Sequence, residues 1–189
     1  MSKLFEESEI FTKERPSKLT KIQSKELYNT LAKEIIDNGW STSTVEEISE
    51  DLESVSRHST GFELAKELDD VGYYGNIDSQ FIEWLEDFDS RHQEIIDENI
   101  KTWVTAHKIE PKHSVGTELK INKQIIHYTE GYGVGSTVFV NGYKKELGCY
   151  YISKIKGNTS NYVVEYETVE SNTENELLTK NKYTNGKII

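Results

Sequence analysis

The chain predicts an α+β protein, with four or five acidic helices preceding a small antiparallel β-barrel, and three features of its 189 residues point that way. Apolar side chains recur at helical spacing as far as about Ile109, then give way to short β-branched and aromatic runs. Pro111 stands at that change of pattern and favours an extended residue before it. Charge divides at the same place: residues 1–110 carry 12 Lys and Arg against 25 Asp and Glu, a balance of −13, whereas residues 111–189 carry 10 against 8, or +2.

Residues 1–16 set Leu4, Phe5, Ile10 and Phe11 among charged neighbours and predict a flexible arm ending at Pro16. The helical domain spans 17–110. Thr20 and Gln23 form a capping box ahead of Leu27, Leu31 and Ile35, so a first helix runs from about Lys21 to Asn38, with Gly39 as its stop. Thr44 and Glu47 form a second box ahead of Val45, Ile48, Leu52 and Val55, giving a helix to about Arg57. A short third helix covers Phe62 to Leu68, and the DDVGYYGN run that follows is a turn. From Ile77 to Ile109 the stripe Phe81, Leu85, Phe88, His92, Ile95, Asn99 and Trp103 is spaced by three or four residues. Asp78 is its N-cap, with Ile77 and Ile82 as a hydrophobic staple. Asp89 and Ser90 offer a second start, so one long rod and a helical hairpin both fit.

Beyond Pro111 the strand signals are Thr117–Ile121, Gln124–Thr129, Thr137–Val140, Cys149–Ile155 and Tyr162–Val169, separated by Gly- and Asn-rich turns. Five short strands in residues 115–170 resemble, in pattern, a small SH3-like or Tudor-like barrel. Residues 171–189 form a polar tail.

Most chemistries are excluded by what the motifs lack. His58, His92, His107, His113 and His127 do not fall at ligand spacing, and the acidic run 83–89 lacks the alternating oxygen donors and Gly of a calcium loop, so no metal is expected. Gly131, Gly133 and Gly135 precede a strand rather than a helix and read as a hairpin turn, not a phosphate loop. The single Cys149 lies in an apolar strand-like run, where it is a small buried hydrophobe. No enzyme activity and no cofactor are expected. With neither a leader pattern nor an apolar run of membrane length, the expected setting is cytoplasmic, a host cytoplasm if the chain is phage-encoded.

Two binding surfaces remain. Residues 40–100 hold seventeen acidic against three basic side chains, an excess beyond what solubility needs. Glu83, Glu86, Asp87, Asp89, Glu94, Asp97 and Glu98, supported by Glu46, Glu47, Glu50 and Asp51, are therefore expected to engage a basic protein, such as a nuclease or another nucleic-acid-binding protein. Such a field repels nucleic acid itself. In composition the chain resembles small acidic proteins of phages and mobile elements that inhibit restriction or CRISPR nucleases by imitating phosphates. The alternative is an adaptor. Its barrel face of Tyr132, Tyr143, Lys144, Lys145, Lys154 and Lys156 takes a peptide or a nucleic acid, while the helices self-associate through Phe81, Phe88 and Trp103.

Overall fold

The structure, a computed structural model, describes residues 14–55, 60–71, 74, 77–125, 132–158 and 162–171. Its described helices are α1 (Lys21–Asp37), α2 (Val45–Ser54), α3 (Gly61–Val71), α4 (Ser79–Glu86) and α5 (Phe88–His107). Five strands follow: β1 (Glu118–Ile121), β2 (Thr137–Lys144), β3 (Cys149–Ser153), β4 (Tyr162–Glu165) and β5 (Val169–Ser171). The architecture is α+β, helices first and an antiparallel sheet second. Contacts divide the chain into two compact units, Met1–Asn99 and Ile100–Ile189, the division falling inside α5.

Local hydrogen bonding sets the helix starts. Thr20 accepts from the Gln23 N–H at 3.2 Å while Gln23 Oε1 accepts from the Thr20 N–H at 3.1 Å, and Thr44 with Glu47 repeats the arrangement. Gly39, at φ +73°, ends α1 in the left-handed conformation, and the Gly39 and Trp40 N–H groups return to Ile36 O and Ile35 O. Asp78 caps α4 through the Phe81 N–H at 2.9 Å. The central stretch is neither one rod nor a hairpin with a loop. Asp87 alone separates α4 from α5, and the second helix begins at Phe88, before either Asp89 or Ser90.

In the first unit the core gathers Tyr28, Leu31, Ile35, Trp40, Ile48, Leu52, Leu64, Leu68, Phe81, Leu85 and Phe88. Phe81, Phe88 and Trp103 are all buried, which removes them as a surface for self-association. His92 is buried too, its Nδ1–H donating to Phe88 O at 3.2 Å and its Nε2 sharing a hydrogen bond with the Tyr28 hydroxyl at 3.0 Å. The bond to the carbonyl requires the Nδ1 proton. Asn99, on the same stripe, exchanges two bonds with the Gln23 amide at 2.8 and 3.0 Å, so a partly buried polar pair ties the capping-box glutamine of α1 to α5.

The second unit is a five-stranded sheet in the order β4-β3-β2-β1-β5, every pair antiparallel. Leu119, Ile121, Val138, Val140, Tyr150, Ile152, Val164 and Val169 fill its inner face. The edge strands β4 and β5 do not pair with each other. They are nevertheless joined by one 3-10 turn, Tyr166–Thr168. A flat sheet would hold its outer strands about 19 Å apart at four strand spacings, yet four Cα steps reach at most about 14 Å. The sheet must therefore curl.

Two strand expectations are corrected here. Gln124 and Ile125 are not strand, and the rest of the expected Gln124–Thr129 run lies outside the described residues. The expected Tyr162–Val169 strand breaks at Tyr166 into β4, the 3-10 turn Tyr166–Thr168 and β5, the turn carrying the chain from one edge of the sheet to the other. Cys149 is buried, as its run predicts, with its thiol donating to Leu147 O at 3.3 Å.

Candidate partner-binding surfaces

The helix starts that set the fold also decide which carboxylates are available. On α2, Ile48 and Leu52 face the core, and Glu46 and Glu50 stand exposed. Glu47 is engaged at the helix start: bonds from the Thr44 backbone N–H at 2.8 Å and from its hydroxyl at 2.9 Å hold its carboxyl below the ordinary value. Asp51 accepts from the Tyr74 hydroxyl at 3.2 Å and is half-buried. These two are structural before they are anything else.

On α4 and α5, Glu83, Glu86, Asp87, Asp89, Glu94 and Glu98 are exposed, while Asp97 is half-buried and accepts from the Gln93 amide at 2.7 Å. Glu86 lies beside Gly61 at the start of α3, where a carboxylate complements the helix N-terminus. Glu46, Glu50, Glu83, Asp87 and Glu94 make no ion pair among the described residues. The carboxylates thus lie on two stretches, α2 and α4–α5. Tyr74 links them, bonded to Asp51 and stacked on Phe81 at 5.8 Å.

Sequence reasoning missed what happens to the one cation inside the α4–α5 row. Arg91 Nη1 donates to Glu34 Oε2 at 2.6 Å, and its guanidinium sits 5.0 Å from the Trp84 ring centroid. Trp84 Nε1 donates to the same oxygen at 3.0 Å. Partial burial pushes the Glu34 carboxyl up, but the bonds from Arg91 and Trp84 outweigh it and hold it below its usual value. Glu34 lies 57 positions from Arg91, out of reach of any local pattern.

The expected barrel face separates into two places. Lys144 and Lys145 flank the start of β3, Lys145 lying 5.8 Å from the ring of Tyr143. Lys154 and Lys156 follow its end, about 17 Å away along the strand. There Tyr132 stacks on Tyr162 at 4.7 Å, with the Lys154 ammonium 5.5 Å from the Tyr132 ring. The Tyr143 hydroxyl is used internally, donating to His113 O at 3.2 Å.

The half-buried Tyr143 and the buried Tyr150 and Tyr166 make a cluster, with ring centroids 6.0 Å and 4.3 Å apart. The Tyr150 hydroxyl accepts from the Lys112 and His113 N–H groups at 2.9 and 3.0 Å. The Tyr166 hydroxyl is buried without a partner. Burial first, and then the neighbouring Tyr150 and Cys149, push the Tyr166 phenol up to about 12; Tyr74 is likewise raised by burial and by the Asp51 carboxylate. A phenol that ionises less readily folded than unfolded contributes stability that is intact below about pH 10 and is lost as pH rises through the folded value. Alkaline titration followed by circular dichroism should show unfolding between about pH 10 and 12, moved to higher pH in Tyr166→Phe; an unmoved transition counts against this account.

Among the described residues no group of three or more His, Cys, Asp or Glu is placed to hold a metal, and no helix is long and apolar enough to cross a membrane. No protein-family model, curated protein or solved structure matches the chain.

Proposed function

We propose that the chain is a non-enzymatic binding protein whose acidic helical surface engages a basic, nucleic-acid-handling protein. It does so by presenting carboxylates where that partner expects phosphates, in the manner of phage or mobile-element inhibitors of restriction or CRISPR nucleases. One observation carries the reading. Glu46, Glu50, Glu83, Asp87 and Glu94 are exposed without ion pairs among the described residues, while Arg91 is already committed to Glu34 and Trp84. Carboxylates four residues apart on one helix stand about 6 Å apart along its axis, close enough for their fields to add. Unneutralised rows of this kind accelerate encounter with a cationic surface and are screened by salt.

The second unit, on the same proposal, is an SH3-like open barrel. The reading rests on the strand order and on the single 3-10 turn that carries the chain from β4 to β5 across the curled sheet.

Lys substitution at Glu46, Glu50, Glu83 and Asp87 together is expected to weaken partner binding by roughly a hundredfold, as loss of several steering charges does. The measurement is capture from the native cytosol at low salt and again at about 0.5 M, where the Debye length is about 4 Å. Binding that survives both the substitutions and the salt, or capture of nucleic acid in place of a protein, rejects the acidic surface.

A further inference from the structure

A second surface, independent of the acidic helices, lies at one end of the sheet. The Tyr132–Tyr162 stack brings the loop before β2 against the first residue of β4. The turn after β3 reaches the same end, since Asn141 Nδ2 donates to Asn158 O at 3.0 Å and Lys154 lies over Tyr132. Val134 and Ile155, in these two loops, are 62% and 66% exposed. Lys156 is exposed as well, and its stem runs past Gly116, where an added Cβ would come within 3.6 Å of Cε. Two rings and the Lys154 ammonium therefore lie together near the start of β4, and Val134, Ile155 and Lys156 stand exposed in the same two loops, Lys156 reaching toward Gly116.

We infer that this patch binds an extended acidic peptide whose carboxylates meet Lys154 and Lys156 while its apolar side chains cover Val134, Ile155 and the Tyr162 edge. The charge is complementary, and exposed aliphatic groups beside ammonium groups suit a chain that alternates acidic and apolar side chains. A single nucleic-acid strand fits less well. Stacking needs a free ring face, yet the Tyr132 ring is already stacked on Tyr162 and approached by the Lys154 ammonium.

The test titrates the full chain with a labelled synthetic octapeptide, Asp-Phe-Glu-Ile-Glu-Phe-Asp-Ile, beside its counterpart with every acid replaced by Lys and a fifteen-nucleotide oligothymidine. Saturable binding of the acidic peptide is expected. It should weaken at least tenfold in Lys154→Glu/Lys156→Glu, several-fold in Ile155→Ser, and not at all in the variant carrying Lys at 46, 50, 83 and 87. Ile155 and both Lys side chains are exposed, so these variants fold. No saturable binding, binding indifferent to the Lys154 and Lys156 changes, or tighter binding of the basic peptide or the oligothymidine each overturns the inference. None of these outcomes bears on the acidic helical surface, which is tested through its own residues.

Discussion

Phe81→Ala is expected to destabilise the first unit by about 3–5 kcal/mol, the usual range for truncating a fully buried aromatic. Phe81 has no exposed surface and stands at the centre of a ring cluster, 5.0 Å from Trp40, 5.8 Å from Tyr74 and 6.1 Å from Trp84. All three neighbours are large and held by other contacts, Trp84 by its bond to Glu34, so they cannot collapse into the space left behind. Marginal stability makes such a loss a large fraction of the total. Denaturant unfolding followed by Trp fluorescence reads this directly, since Trp40 and Trp84 border the cavity. Phe62→Ala is the control: that ring is 65% exposed, and the change should stay within about 0.5 kcal/mol. A loss at Phe81 below about 1 kcal/mol would contradict the packing described.

What the sequence disclosed, and what it hid, follows the range of the forces involved. The caps at Thr20, Thr44 and Asp78 are bonds across three residues, so their pattern is written locally. A further one was equally visible and is easily passed over. Thr60 and Glu63 make a reciprocal box, with the Thr60 N–H donating to Glu63 Oε2 at 2.9 Å, but Gly61 between them suggests a break rather than a beginning. The interruption at Asp87 is only half visible: Asp89 and Ser90 suggest a second start nearby, but Leu85 and Phe88 are spaced as a continuous helix would space them. The 3-10 turn at Tyr166 is masked in the same way, since Val164, Tyr166 and Thr168 continue the alternation of β4 through the turn.

The acidic surface was legible as composition and illegible as geometry. Counting charges identifies the residues, but only the fold separates carboxylates already engaged, such as Glu47 and Asp51, from those left exposed, such as Glu46, Glu50, Glu83 and Glu94. The fate of Arg91 depends on a partner 57 residues away. With Arg91 held there, the α4–α5 row keeps the charge that composition assigns to it.

Gly61→Ala is expected to cost about 2–3 kcal/mol, against the direction that helix propensity gives. Gly61 is the first residue of α3 and is buried. In an exposed helix the same change stabilises by roughly 0.5–1 kcal/mol, because it removes conformational freedom from the unfolded chain. At this site an added Cβ collides with the backbone oxygen of Ile82 and comes within 2.9 Å of Glu86 Oε1. The Glu86 side chain can swing away, but the Ile82 carbonyl belongs to α4 and moves only if the helix moves. Overpacking of that kind costs about 1–3 kcal/mol, which exceeds the propensity gain. The α3–α4 approach must then widen, and Phe81 and Leu85, on α4, lose contact with the core they fill. Urea denaturation decides between the two effects. A variant as stable as the parent, or more so, would mean that α3 and α4 do not approach as closely as the fold requires, whereas the expected loss identifies Gly61 as the residue that lets the two helices meet.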